Sequence, residues 1–172
     1  MTPIRWRRAV PADAPALSLL GGATFLASFA HDHPGQALID HARNAHGEAW
    51  YGAALADPEQ VAIIGETPLD APVGYALLTP CALPVPPETD DYELKRIYLL
   101  GPWQGGGNGD ALMEQAIEAA REKGTRRLLL AVYPQNDRAR RFYDRHGFEE
   151  IGKMTFMVGD VPFDDLIYAR RL

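Results

Sequence analysis

The stretch that most constrains this chain runs from Glu93 to Met113 (Glu-Leu-Lys-Arg-Ile-Tyr-Leu-Leu-Gly-Pro-Trp-Gln-Gly-Gly-Gly-Asn-Gly-Asp-Ala-Leu-Met). Its first half reads as a strand, with charged and apolar residues alternating before an apolar end. Gly101-Pro102 stops that strand. A loop follows with four glycines, Gly105, Gly106, Gly107 and Gly109. A helix then begins, with Ala111, Leu112, Met113, Ala116, Ile117 and Ala120 at helical spacing. Strand, glycine loop and helix N-terminus together make a phosphate-binding arrangement. The first-turn amides lack internal partners, the helix dipole favours an anion there, and glycine lets the backbone come close.

Two phosphate signatures are excluded. A Walker loop needs Lys followed by Ser or Thr after its last glycine, and Asn108 follows Gly107. The dinucleotide pattern G-x-G-x-x-G fails because Gly105 and Gly107 lead to Asp110, and Gly107 and Gly109 lead to Leu112.

With 172 residues, 47% of them apolar, the chain predicts one globular domain over 1–172 with a sizeable core. A net charge of −6 argues against nucleic acid as a partner and mildly favours a cationic one. One cysteine, Cys81, excludes an internal disulfide and suits a reducing compartment. No apolar run reaches the ~18 residues of a membrane span, and Met1 to Trp6 lacks the apolar stretch of a signal peptide. The chain therefore reads as cytoplasmic, with no membrane partner.

In order, Ile4 to Ala9 predicts a strand. A helix follows Asp13 as its cap and is interrupted near Gly21-Gly22. A loop holds His31-Asp32-His33, and a second helix spans Gln36 to Leu55. Val61 to Gly65 and Val73 to Leu78 predict a hairpin. Pro80 to Asp90, with four prolines, predicts a surface loop. The strand Tyr92 to Leu100 leads through the glycine loop to a helix ending at Lys123, capped by Gly124. Leu128 to Tyr133 is apolar throughout, as for a buried central strand. Asn136 to His146 predicts a short helix between an Asn cap and Gly147. Strands over Phe148 to Val158 and Phe163 to Arg170 complete the chain. The expected class is α/β (α+β): a mixed, mostly antiparallel sheet of six to seven strands with about four helices, and one strand-helix-strand crossover at the glycine loop.

The segment Asn136-Asp137-Arg138-Ala139-Arg140-Arg141-Phe142-Tyr143-Asp144-Arg145-His146-Gly147-Phe148 carries a second set of candidates. Asn136, Ala139 and Tyr143 share one helix face. By itself Tyr143 reads as a half-buried aromatic with a wet hydroxyl. In a site, its phenol is a proton donor.

Two motifs now stand together. Gln104-x-x-Gly107-x-Gly109 is followed about 20 residues later by an apolar strand, and then by Asn136-x-x-Ala139-x-x-Phe142-Tyr143-x-x-x-Gly147-Phe148. This pair resembles the two core motifs of the GNAT superfamily of N-acetyltransferases. The tail, Phe156 to Asp160 and Asp164 to Tyr168, is more loosely similar to a bacterial branch that includes polyamine acetyltransferases. The resemblance implies a GNAT fold and acetyl-CoA as cosubstrate. It places the backbone of Ile97, Tyr98 and Leu99 beside the pantetheine arm. It assigns the pyrophosphate to amides of Gln104, Gly105, Gly106, Gly107, Asn108, Gly109 and Asp110. Asn136 would bond pantetheine or order the site, and Tyr143 would be the general acid near the sulfur. Glu93 occupies a position where some members place a base that acts through water; a surface strand glutamate is the alternative. Tyr92 and Tyr98 are further lining candidates. The implied reaction is direct attack of an amine on the thioester, with no covalent enzyme intermediate.

The chain departs from the family pattern at three points. Gly106 stands where Lys or Arg is frequent, Asn108 replaces an apolar residue, and Asp110 puts a carboxylate in the first helical turn, where it is expected to point away from phosphate. His31, His33, His41 and His46 match no zinc spacing, so no metal is expected and they are read as solvated or lining the acceptor side. Cys81 has no paired histidine in view and is read as structural. Arg138 and Arg140 are candidates for phosphate contact. The implied partner is a small-molecule amine, with polyamine, amino acid, antibiotic amine and protein N-terminus all open, and with room for a homodimer. Alternatives are a CoA-binding sensor or scaffold without catalysis, and a phosphate site for another nucleotide.

Overall fold

Prolines and glycines divide the chain into short apolar strands and amphipathic helices, and these pair as the alternation directs. The computed structural model describes residues 3–172. Its strands are β1 (Arg5–Arg8), β2 (Val61–Glu66), β3 (Pro72–Pro80), β4 (Asp91–Leu99), β5 (Arg127–Val132), β6 (Glu149–Val158) and β7 (Val161–Arg171). They form one sheet in the order β1-β2-β3-β4-β5-β7-β6. Every described neighbouring pair is antiparallel except β4 and β5, which run parallel across the expected crossover. The helices are α1 (Ala14–Phe29), α2 (Gly35–Ala45), α3 (Glu48–Ala56), α4 (Asn108–Glu122) and α5 (Asp137–Arg145).

Helices cover both faces, which explains why β3 is buried almost end to end. On one face Leu112, Met113, Ala116 and Ala120 of α4 pack on Ala76, Leu78, Leu94, Leu128 and Leu130, with Tyr143 of α5 beside them. On the other face Leu17 and Leu20 of α1 and Tyr51 of α3 pack on Ile64, Tyr75 and Leu77. Phe25, Ala37, Leu38 and Val158 make a third, smaller cluster. The segment Pro11–Phe29 is long and apolar enough to cross a membrane, at a mean hydropathy of 1.2. Here its Leu17, Leu20 and Phe25 are buried against the protein's own core.

The helix expected over Gln36 to Leu55 is two helices, α2 and α3. The chain breaks at His46-Gly47 because His46 turns inward. It is 3% exposed, with Nδ1 3.0 Å from the Tyr51 hydroxyl. Gly47 is extended, and a Cβ there would overlap the Arg43 carbonyl. The expected interruption at Gly21-Gly22 does not occur, and α1 runs through it. Gly21 instead allows close approach: a Cβ on it would overlap His46 Nδ1 and the Tyr51 hydroxyl. Asp13 stands at the N-cap of α1 without a side-chain cap bond, because Arg7 and the Val10 amide take its carboxylate.

The pairing of β4 positions the site. β4 meets β5 only at Asp91↔Arg127, Tyr92↔Leu128 and Glu93↔Leu129. A two-point ion pair clamps this closed end, with Arg127 Nε 2.7 Å from Asp91 Oδ1 and Nη2 2.6 Å from Oδ2. Past Glu93 the two strands have no pairing. On its other edge β4 carries a bulge at Lys95, where Leu77↔Arg96 is followed by Leu78↔Leu94. The bulge shifts the side-chain alternation by one. Tyr92 and Leu94 face the α4 side before it, and Ile97 and Leu99 face that side after it. A bulge also bends and twists its strand, which carries β4 away from β5.

Gly21→Ala tests the packing of α1. Alanine in an unobstructed helix would stabilise by up to about 1 kcal/mol. The overlap reverses the sign, and a loss of about 1–3 kcal/mol is expected in denaturant unfolding. Unchanged or raised stability would contradict the close approach.

Candidate functional site

Where β4 and β5 part, the protein holds one continuous cavity of about 990 Å³. Gly105, Gly107, Gly109, Arg138 and Arg141 border one end. Phe25, Phe29, His33, Phe163 and Asp165 border the other. Glu93, Tyr98, Asn136 and Tyr143 lie along it.

The glycine end is built from backbone. Gly105, Gly106 and Gly107 have φ of 94°, 59° and 84°, three successive left-handed residues that only glycine adopts cheaply. This accounts for Gly106 where the resemblance expects a basic residue. A Cβ on Gly105 or Gly107 would meet open space, so these glycines serve conformation and access rather than packing. The amides of Gly105, Gly106, Gly107 and Gly109 have no backbone hydrogen bond among the described residues. They sit at the N-terminus of α4, with Gly107 as N-cap. Gln104 is spent on structure: its Nε2 donates to the Leu99 carbonyl at 2.9 Å, and Arg138 Nη1 donates to its Oε1 at 2.5 Å. Asn108 Nδ2 donates to the Trp103 carbonyl at 2.9 Å. Gly109 gives α5 room, since a Cβ would lie 3.3 Å from the Phe142 ring. The Asp110 carboxylate turns to His146, with Oδ1 2.9 Å from Nε2.

Positive charge reaches this end from α5. Arg138, Arg141 and Arg145 border the cavity. Arg140, a sequence candidate, does not: its guanidinium bonds the Tyr168 hydroxyl at 3.2 Å and the Pro134 carbonyl at 3.3 Å. Tyr92 is likewise outside the cavity, packed in the core with its hydroxyl on the Glu59 carbonyl.

In the middle, Asn136 caps α5, its Oδ1 accepting from the Ala139 amide at 3.1 Å. Tyr143 is 9% exposed, and its hydroxyl has no hydrogen-bond partner among the described residues. Burial, with the Tyr98 phenol nearby, pushes its pKa well above that of a free phenol, so it stays protonated at neutral pH. Glu93 is 5% exposed and stands at the last paired position of β4. Its Oε2 accepts from the Ala82 amide at 3.2 Å, and Lys95 Nζ lies 3.5 Å from Oε1. Ala82 and Leu83, from the loop expected to run over the surface, form that wall. Ile97, Tyr98 and Leu99 border the cavity on the free edge of β4.

The far end is aromatic. His33 stacks on Phe163 with ring centres 3.8 Å apart and bonds Asp32 at 2.6 Å. His41 stacks on Phe25 at 4.5 Å. Burial and the Arg96 charge lower the pKa of both His41 and His46, that of His46 to about 2. Two residues here were not picked out from sequence as site residues. Arg96 is 9% exposed, its Nη2 on the Ala45 carbonyl at 2.6 Å and its guanidinium 4.0 Å over the Trp50 ring. Asp165 of β7 is 8% exposed, and its carboxylate makes no hydrogen bond to a described residue. Burial pushes its pKa up to about 6, with Asp164 adding to the rise. Charged residues breaking the apolar pattern of these strands were the available signal.

The sequence model described as "Acetyltransferase (GNAT) family" matches residues 24–148. An uncharacterized N-acetyltransferase of Mycobacterium tuberculosis is 36% identical over 100 residues, which is 58% of this chain and 60% of that protein's length. The PaiA N-acetyltransferase of Thermoplasma acidophilum, solved in complex with coenzyme A, superimposes with a TM-score of 0.80 at 16% identity over 99% of each chain. The ribosomal-protein-alanine N-acetyltransferase of Brucella melitensis gives a TM-score of 0.73 at 26% identity, covering 98% of this chain and 99% of that one.

Asp165 makes a stability prediction. Its carboxyl binds protons more readily folded than unfolded, so stability falls as pH rises from the free value near 3.8 through about 6. Above that window the cost of the buried charge is complete. Asp165→Asn is therefore expected to raise stability by roughly 1–3 kcal/mol at pH 8 and to leave it nearly unchanged at pH 3.5. Thermal unfolding at the two pH values checks this, and an equal effect at both would contradict it.

Proposed function

Because the chain belongs to the acetyltransferase (GNAT) family, we propose that it binds acetyl-CoA at the glycine-loop end of the cavity and transfers the acetyl group to an amine entering from the aromatic end. The observation that carries this reading is the free edge of β4 meeting the left-handed glycine loop in one cavity, with a protonated, unpartnered Tyr143 between. These residues fit the cosubstrate. The amides of Gly105, Gly106, Gly107 and Gly109 offer donors to a pyrophosphate, reinforced by the α4 dipole. Arg138, Arg141 and Arg145 add charge. The backbone of Ile97, Tyr98 and Leu99, without a neighbouring strand on that side, offers hydrogen bonds to an extended arm. Asn136, with its Oδ1 committed to the helix cap, has its amide NH₂ left to donate.

Acetyl-CoA supplies the activated acyl group when bound. The protein's part is to hold and move protons. Tyr143 Oη donates to the departing sulfur, and burial keeps that proton on the phenol until it is needed. Glu93 takes the proton of the attacking amine through water from its place at the fork of β4 and β5. The cavity wall limits solvent around both. We read residues 1–172 as one such domain, acting in the cytoplasm, where the half-buried Cys81 stays reduced. The acceptor is a small amine, and the tail's looser similarity keeps polyamines among the choices. The likeness to a ribosomal-protein-alanine N-acetyltransferase keeps a protein N-terminus as an alternative.

Turnover of acetyl-CoA over an amine panel tests this reading. Tyr143→Phe is expected to lower kcat about 100-fold with CoA affinity retained. Glu93→Gln is expected to move the pH–rate profile to higher pH. Wild-type rates for Tyr143→Phe would remove the acid role, and CoA binding without turnover on any amine would favour a sensor.

A further inference from the structure

The far end of the cavity holds a carboxylate with nothing to neutralise it. Asp165 borders the cavity, is 8% exposed, and has neither a hydrogen bond nor an ion pair among the described residues. A buried, unpaired carboxylate is costly, and such groups are normally matched by a cation or several donors. Neither Arg96 nor Lys95 pairs with Asp165: Arg96 holds the Ala45 carbonyl through Nη2 and lies over the Trp50 ring, with its Nη1 unpartnered, and Lys95 lies near Glu93. His33 is paired with Asp32. His41 and His46 are held neutral by burial and by Arg96, so they neither neutralise Asp165 nor repel a cation.

Around the carboxylate the walls are aromatic. Phe29 and Tyr133 meet edge to face at 6.0 Å, as do Tyr133 and Phe163. Tyr98 and Tyr133 both lie within electrostatic reach of Asp165. Aromatic faces and a carboxylate attract the same ligand group, an alkylammonium. Tyr98, Tyr143 and Asp165 border the same cavity, so the carboxylate and the proposed proton donor face one space.

Building on the acetyl-transfer reading, we infer that this aromatic chamber is an acceptor pocket for a small aliphatic amine bearing a second ammonium group, which pairs with Asp165 while the first amine is acetylated beside Tyr143. The class is an α,ω-diamine or longer polyamine. Asp165 thereby determines specificity and does not touch the reacting atoms. With its pKa at about 6 the carboxyl is ionised at neutral pH and ready for a cation.

The test uses three ligands of matched length on the CoA-saturated protein: 1,5-diaminopentane, pentylamine and 5-aminopentanoate. Calorimetry is expected to show the diamine binding at least about tenfold more tightly than the other two. Asp165→Asn is expected to erase that advantage, while a CoA titration of the variant reports an intact cofactor site. Equal binding of the three ligands by the wild-type protein, or no binding of the diamine, overturns the inference without needing the variant. An Asp165→Asn protein that weakens all three alike also overturns it, since the carboxylate would then be structural. Binding is read apart from turnover. Diamine selectivity with no acetylation would sink the transfer reading alone, and equal acetylation of all three ligands without selective binding would sink this inference alone.

Discussion

Everything in the site depends on β4 and β5 pairing for three residues and then separating. Two parallel strands in mid-sheet would ordinarily satisfy each other along their length, and a free edge inside a protein leaves donors and acceptors without partners. The chain imposes the separation with two local devices. Arg127 and Asp91 lock the closed end in a two-point ion pair. The bulge at Lys95 then bends β4 and switches which side of the sheet its side chains face. That switch lets Ile97 and Leu99 join the α4 core while Arg96 and Tyr98 face the opposite helices. The cavity is the space left by this fork.

The cavity is electrostatically divided. At one end, amides in a left-handed loop, a helix dipole and three arginines favour an anion. At the other, the unpaired Asp165 and aromatic faces favour a cation, although the buried Arg96 guanidinium borders the same end. Between them Tyr143 is kept neutral by burial. In the proposed reading an anionic cosubstrate and a cationic acceptor enter from opposite ends. The histidines of the far wall fit this division because burial and Arg96 hold His41 and His46 uncharged.

Much of this was legible in the sequence, for physical reasons. The punctuation by Gly101-Pro102, Gly124, Pro134 and Gly147, with the apolar periodicity of α4 and the unbroken apolar run of β5, located the crossover and its helix. Asn136 declared itself as a cap, and its side chain does cap α5. The missed features are long-range. Gly21-Gly22 looked like a helix break, but Gly21 is there because His46 and Tyr51 press against it from elsewhere in the chain. The division of α2 from α3 follows from burying His46, which local pattern does not reveal. The Lys95 bulge left a trace, since Tyr92 and Leu94 are out of phase with Ile97 and Leu99, but reading it requires the register of β3. Arg140 and Tyr92 carried suitable chemistry and point elsewhere, because a one-residue step on a helix or strand changes the face.

In the proposed reading the free edge of β4 and the glycine loop form one binding surface for acetyl-CoA. Amide hydrogen exchange with and without acetyl-CoA tests it most directly. New protection is expected at Ile97 to Leu99 together with Gly105 to Asp110, the strand edge and the loop protected by one ligand. Saturation with acetyl-CoA that leaves both segments exchanging as in the free protein would contradict it.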